Sequence, residues 1–162
     1  MAEDSANVSK FYKGWTNYQN MIIKAIAPLT EQQLTFRAAP GLRSIGENLT
    51  HIIAVRVRWF HDLMGEGDEN IASVGAWDRK GQPVRTAAEL VDGLERSMQF
   101  VQGCLSRWTP TDLEYVFSGV HEGEEYALSR QWVIWHVIEH DLFHGGEMFF
   151  TMGAHGLPAP DL

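Results

Sequence analysis

The run Trp135-His136-Val137-Ile138-Glu139-His140-Asp141-Leu142-Phe143-His144-Gly145-Gly146-Glu147 carries three histidines at four-residue intervals. On an α-helix each such step turns about 40° past a full turn and rises about 6 Å, so successive imidazoles share one face. Two neutral imidazoles at i and i+4 can converge on one divalent ion at roughly 2.0–2.1 Å from each nitrogen, whereas the outer pair stands about 12 Å apart along the axis. One ion therefore takes two of the three, and another element must supply the next ligand. His51, inside the apolar stretch Leu49-Thr50-His51-Ile52-Ile53-Ala54-Val55, is the obvious donor.

The helix that carries this run is expected to start at an N-cap Ser129, to extend from about Arg130 to Met152 and to stop at Gly153. Val133, Val137, His140 and His144 share a face, while Trp132, Trp135, Ile138, Leu142 and Phe149 spread around the rest. Burial against two surfaces is predicted, one of them a candidate contact with a second subunit. Upstream, Phe11, Trp15, Tyr18, Ile22 and Ile26 form the stripe of a first helix that ends before Pro28. Thr30-Glu31-Gln32-Gln33 is a capping box for a short turn, and Ser44-Ile45-Gly46-Glu47 is another, opening a second helix through Ile52, Val55, Trp59 and Leu63 to Gly65. A third, Thr86-Ala87-Ala88-Glu89, launches a helix whose stripe is Leu90, Leu94, Met98, Val101, Leu105 and Trp108. Between Gly65 and Arg85 lies a polar, glycine-rich loop long enough to act as a lid, although plain surface fits it equally. Thr109-Pro110-Thr111-Asp112 starts a further turn, and Tyr115–Leu128 reads as a small hairpin or an irregular excursion. The expected fold class is all-α: a four-helix bundle with short extra turns, forming a single domain over residues 1–162.

Bulk properties narrow the function. Thirteen basic against twenty-one acidic residues leave a formal charge of −8. That balance opposes the phosphate neutralisation on which nucleic-acid affinity depends, so no nucleic-acid partner is expected. No apolar run approaches membrane-spanning length and the N-terminus is acidic, so no membrane partner or signal peptide is expected and the cytoplasm is the expected location. The single Cys104 excludes an intrachain disulfide and falls beside an apolar stripe, where a thiol is more often an inert small hydrophobe than a nucleophile.

Several histidines on one helix can simply hydrogen-bond in place. Three in register, however, are costly to desolvate together and repel when protonated unless something organises them, and a metal does so economically. His136, one turn above His140, is assigned to orienting a ligand or lining the pocket. Glu147, one turn after His144, is a candidate for the ligand set or its surroundings; Glu47, one turn before His51, already has a place in its capping box. The remaining histidines, His61, His121 and His155, are expected to be exposed. Neither His-Glu-x-x-His nor Glu-x-x-His occurs, which favours a mononuclear site. Three neutral nitrogens leave coordination positions free, as in catalytic zinc, and suit zinc, nickel, copper or iron alike.

Leu29-Thr30-Glu31-Gln32-Gln33-Leu34, Pro40-Gly41-Leu42-Arg43-Ser44-Ile45-Gly46-Glu47-Asn48-Leu49-Thr50-His51 and the run from His136 to Glu147 together resemble the DinB/YfiT-like family of metal-dependent four-helix bundles, from about Val8 to Met152. The resemblance implies divalent-metal ligands at His51, His140 and His144. It also implies a dimer, and an activity like that of relatives that use bacillithiol, mycothiol or glutathione as cosubstrate. Where that family commonly reads His-Arg-Gly-Gln, this chain has Gly145 for the arginine and Glu147 for the glutamine. A lost cation and a gained carboxylate alter the pocket charge.

The expected function is therefore that of a divalent-metal-dependent enzyme, a thiol-dependent transferase acting on a small electrophile. Its expected partners are that small molecule, a low-molecular-weight thiol and a second copy of the chain. Metal-dependent hydrolysis, in which the ion activates water, is the alternative chemistry, and a non-enzymatic, stress-associated metal binder is the alternative class. No Ser/His/Asp signature or glycine-rich phosphate loop offers a rival.

Overall fold

The structure, a computed structural model, describes residues 7–161. Four long helices dominate: α1 (Lys13–Ile26), α3 (Ile45–Val57), α5 (Ala87–Arg107) and α6 (Arg130–Ala154). Short helices α2 (Glu31–Leu34) and α4 (Glu69–Ala72) sit in the connections, and β1 (Val116–His121) pairs antiparallel with β2 (Glu124–Ser129) between α5 and α6. The bundle is thus as the sequence predicts, and of the two readings left open for Tyr115–Leu128 the hairpin is the one that forms. All three capping boxes form, with Thr30, Ser44 and Thr86 each accepting from the amide three residues on while that residue's side chain reaches back to the cap amide.

Two expectations need correction. Phe11 belongs to a 3-10 turn, Val8–Tyr12, that precedes α1, and it is 75 % exposed, because the tighter winding takes it off the stripe that Trp15, Tyr18, Ile22 and Ile26 continue. On α3, Ile52 to Val57 are buried without interruption, since this helix packs against both α5 and α6. Its buried surface is therefore no single stripe through Val55, Trp59 and Leu63. After Val57 the chain winds as a π-helical stretch, Arg58–Leu63, with buried Phe60 at its centre. On α6, Trp132, Trp135, Leu142, Phe143 and Phe150 are exposed, so within one copy only one side of that helix is covered.

The apolar core is divided in two. One cluster holds Ile22, Ile26, Leu49, Ile53, Leu94 and Met148, the other Trp15, Phe60, Val101, Cys104, Val133 and Val137. Between these groups each long helix places one buried polar residue: Gln19, Arg56, Ser97 and Asp141. Arg56 Nε and the Trp15 indole donate to Asp141 Oδ2 at 2.7 and 2.6 Å, and Arg56 Nη1 donates to Gln19 Oε1 at 2.7 Å and to Ser97 Oγ at 3.3 Å. Arg56 and Asp141 are both fully excluded from solvent. Burial raises the Asp141 pKa, against the pull of Arg56 and of the Trp15 hydrogen bond. The layer ties α1, α3, α5 and α6 together at one level.

The segment from Gly65 to Arg85 is docked rather than free. The Trp77 ring lies so close to Gly93 of α5 that a Cβ there would overlap it, and the Arg85 guanidinium covers the ring at 3.9 Å. The expectation of a lid gives way to a strap held against the bundle.

Candidate metal centre

The Ser44 capping box fixes where α3 starts, and His51, just under two turns along, projects toward α6. From α6, His140 and His144 meet it as the four-residue spacing requires. The His51 ring centroid lies 4.7 Å from that of His140 and 4.9 Å from that of His144, and the two α6 rings are 4.4 Å apart. One ligating nitrogen from each of the three falls within 4.8 Å of the others, a group that can hold a metal ion. His51 Nε2 and His140 Nε2 stand 3.0 Å apart.

The far side of each ring decides what the near side offers. His51 Nδ1 lies 2.7 Å from Asp78 Oδ2, and His144 Nδ1 lies 2.6 Å from Glu147 Oε2. A carboxylate only accepts hydrogen bonds, so each Nδ1 carries a proton, and in the neutral ring the lone pair then lies on Nε2. Burial lowers the His51 pKa, against the raising effect of Asp78. His140 is driven down to about 3, first by burial and then by the neighbouring His144 and His51, so it is neutral at neutral pH. Its Nδ1 is buried without a hydrogen-bond partner.

Asp78 comes from the docked strap. Burial raises its pKa, but hydrogen bonds from Arg58 and His51 outweigh that and hold the carboxyl below its usual range. Arg58 contacts both Asp78 oxygens, at 2.6 and 3.0 Å, and the Gly75 carbonyl at 2.8 Å. The strap thus supplies an orienting group that Trp77, packed on Gly93, keeps in place.

The donor chemistry fits a divalent ion. Nitrogens about 2.0–2.1 Å from a tetrahedral centre lie about 3.4 Å from one another, between the 3.0 Å of the His51–His140 pair and the 4.8 Å that bounds all three, and carboxylates behind ligating imidazoles are the usual means of fixing their tautomer. His51, His140 and His144 are the residues that would hold the ion. Of the two flanking assignments, Glu147 touches the centre through His144. His136 stands apart from the three nitrogens: its ring stacks on Trp132 at 5.0 Å and meets Trp59 at 4.8 Å, and its Nδ1 is 3.8 Å from Glu139. Glu47 serves its capping box and pairs with Arg37 through two 2.6 Å contacts, as its position foretells.

Sequence reasoning did not find Asp78, Arg58, Arg56 or Asp141. No periodicity leads to Asp78 in an irregular strap. Asp141 did carry a signal, since it shares the helical face of Val137, His144 and Met148, where a carboxylate must find a buried partner.

Gly145 has a steric reason. A Cβ there would overlap the hydroxyl of Tyr18, whose side chain crosses from α1 and whose pKa burial, and then Asp141, push up to about 12. Two cavities flank the centre. One of about 390 Å³ adjoins Asp78 and Trp77; the other, of about 750 Å³, is lined by Arg43, Asn48, Phe143, Glu147 and Phe150 among others.

The family described as the DinB superfamily matches residues 15–148. Among solved structures, a DinB-like protein from Bacillus cereus ATCC 10987 superposes with a TM-score of 0.74 at 23 % identity, over 96 % of this chain and 97 % of that one, a likeness of fold. No curated protein matches.

Proposed function

The chain belongs to the DinB superfamily, and from that premise we propose that it is a divalent-metal-dependent enzyme that joins a low-molecular-weight thiol to a small electrophile. The observation that carries this reading is the meeting of three imidazole nitrogens from two helices, two of them backed by carboxylates, beside a cavity large enough for a small organic molecule. A divalent ion held by His51, His140 and His144 supplies Lewis-acid chemistry that keeps a thiol, or water, deprotonated at neutral pH. Asp78 and Glu147 hold the protons on His51 and His144 away from the centre and fix both rings. Arg58 keeps Asp78 ionised and aimed.

The nucleophile has to come from outside. The chain's single thiol, Cys104, is fully buried, and burial followed by the nearby Glu66 raises its pKa to about 11. A second copy belongs to the same proposal: Trp132, Trp135 and Leu142 form an exposed apolar patch on one face of α6, the composition of a subunit interface. Light scattering on the purified protein tests the dimer, and a monomer at micromolar concentration overturns it.

Untagged protein assayed for metal is expected to carry one zinc, nickel or iron ion per chain, and His140→Ala is expected to carry none. Turnover of 1-chloro-2,4-dinitrobenzene with cysteine, glutathione or coenzyme A is expected to need both thiol and metal and to stop with chelator. Metal-loaded protein that turns over with no thiol in the panel overturns the transferase, and ester hydrolysis without thiol would replace it with a hydrolase.

A further inference from the structure

Arginines in this acidic chain are mostly engaged. Arg37 pairs with Glu47, Arg56 with Asp141, Arg58 with Asp78 and Arg107 with Glu66. Arg43, exposed on the loop entering α3, makes no ion pair or side-chain hydrogen bond among the described residues, as is true also of Arg79, and it lines the 750 Å³ cavity. Glu147, on the wall of the same cavity, contacts His144 Nδ1, so the cavity adjoins the centre. Asn48 lines the same cavity, is only 2 % exposed, and leaves its Oδ1 buried without a partner. A buried amide oxygen left unbonded costs about 1–3 kcal/mol, which a donor arriving with a ligand relieves. Opposite lie Phe143 and Phe150, whose rings offer apolar surface. The remaining charge on the wall is the Glu147 carboxylate, already engaged by His144 at 2.6 Å and repelling any second negative group on the ligand.

We propose that this cavity is a substrate subsite for a small organic monocarboxylate bearing a hydroxyl or N–H beside an apolar body, with Arg43 taking the carboxylate and Asn48 accepting from the donor. A guanidinium matches a carboxylate through two parallel hydrogen bonds, and a site built for a polar pair rejects ligands that lack one member. The apolar body then lies along Phe143, which packs on His144 with ring centroids 5.1 Å apart. The subsite rests on the reading above for its tie to chemistry, since it names the class of molecule brought to the three histidines.

Mandelate, phenylacetate and mandelamide are the probes, titrated calorimetrically into protein as purified and into chelator-stripped protein, the second arm removing direct chelation by the hydroxy acid. In both arms mandelate is expected to bind about tenfold tighter than phenylacetate, which lacks the hydroxyl, and than mandelamide, which lacks the charge. Arg43→Gln, a change at an exposed side chain, is expected to erase the preference for mandelate over mandelamide, and Arg43→Lys to restore part of it. Asn48→Ala is expected to erase the preference over phenylacetate; should that variant not fold, the ratio in the unaltered protein carries this arm. Equal binding of mandelate and mandelamide, or unchanged mandelate binding in Arg43→Gln, overturns the subsite. Zinc affinity measured by chelator competition keeps the two readings apart: zinc bound without mandelate sinks only the subsite, and mandelate bound without zinc sinks only the metal enzyme.

Discussion

His140 and Asp141 are consecutive residues on α6, yet they serve two polar clusters of opposite character. Asp141 turns inward to Arg56, Trp15 and a layer in which all four long helices take part; His140 turns to His51 and His144. The inner cluster carries its own counter-charge, with Arg56 Nη2 and Asp141 Oδ1 its atoms left without a hydrogen-bond partner. The outer one gathers three imidazoles, two of them tied back to carboxylates through Nδ1 and the third, His140, with its Nδ1 unpartnered. The lesson is that a buried polar group holds the fold when its partner is covalently part of the chain, and becomes a binding site when the partner must be recruited.

The comparison breaks most violently at the inner cluster. Arg56→Met leaves Asp141 ionisable and unpaired in the core and is expected to cost about 3–5 kcal/mol, read by urea denaturation, whereas Arg56→Met with Asp141→Leu recovers most of that loss. At the outer cluster the stabilising partner is added instead. Zinc at one hundred times its dissociation constant is expected to stabilise the protein by about 2.7 kcal/mol in the same assay, and to do nothing for His140→Ala. Equal responses in the two proteins would place the ion elsewhere. Asp78→Asn keeps the shape but no longer holds the His51 proton as firmly, and a loss of about 10–100-fold in zinc affinity is expected from chelator competition, with thermal stability little altered. Further out, Gly93→Ala pushes on the Trp77 ring and is expected to weaken zinc several-fold through Asp78, although residue 93 touches no histidine. A separate measurement tests the claim that the chain supplies no thiol of its own: Cys104 in folded protein at pH 8 is expected to react with iodoacetamide at least about 100-fold more slowly than after unfolding.

Much of this architecture was legible because its signals are local. The capping boxes at Thr30, Ser44 and Thr86 each announce a helix start through chemistry confined to four residues, and the repeat of His136, His140 and His144 needs only the helical period to be read. Which element faced that repeat was harder. His51 offered itself as the histidine within an apolar helix, a plausible match that the packing of α3 on α6 makes geometric. Asp78 was out of reach, since its position depends on Trp77 finding Gly93 and on Arg58 reaching across, contacts between residues remote along the chain. Phe11 misled for a related reason: its spacing to Trp15 is helical, but the first turn winds as a 3-10 segment.

Tyr18 and Gly145 share one volume, and the ring on α1 has taken all of it. Neither position is therefore free to drift alone. A lineage that gains a side chain at 145 must move or shorten residue 18, so among relatives the two positions should change as a pair, and an engineer wanting more room on that side of the histidines should begin by trimming α1.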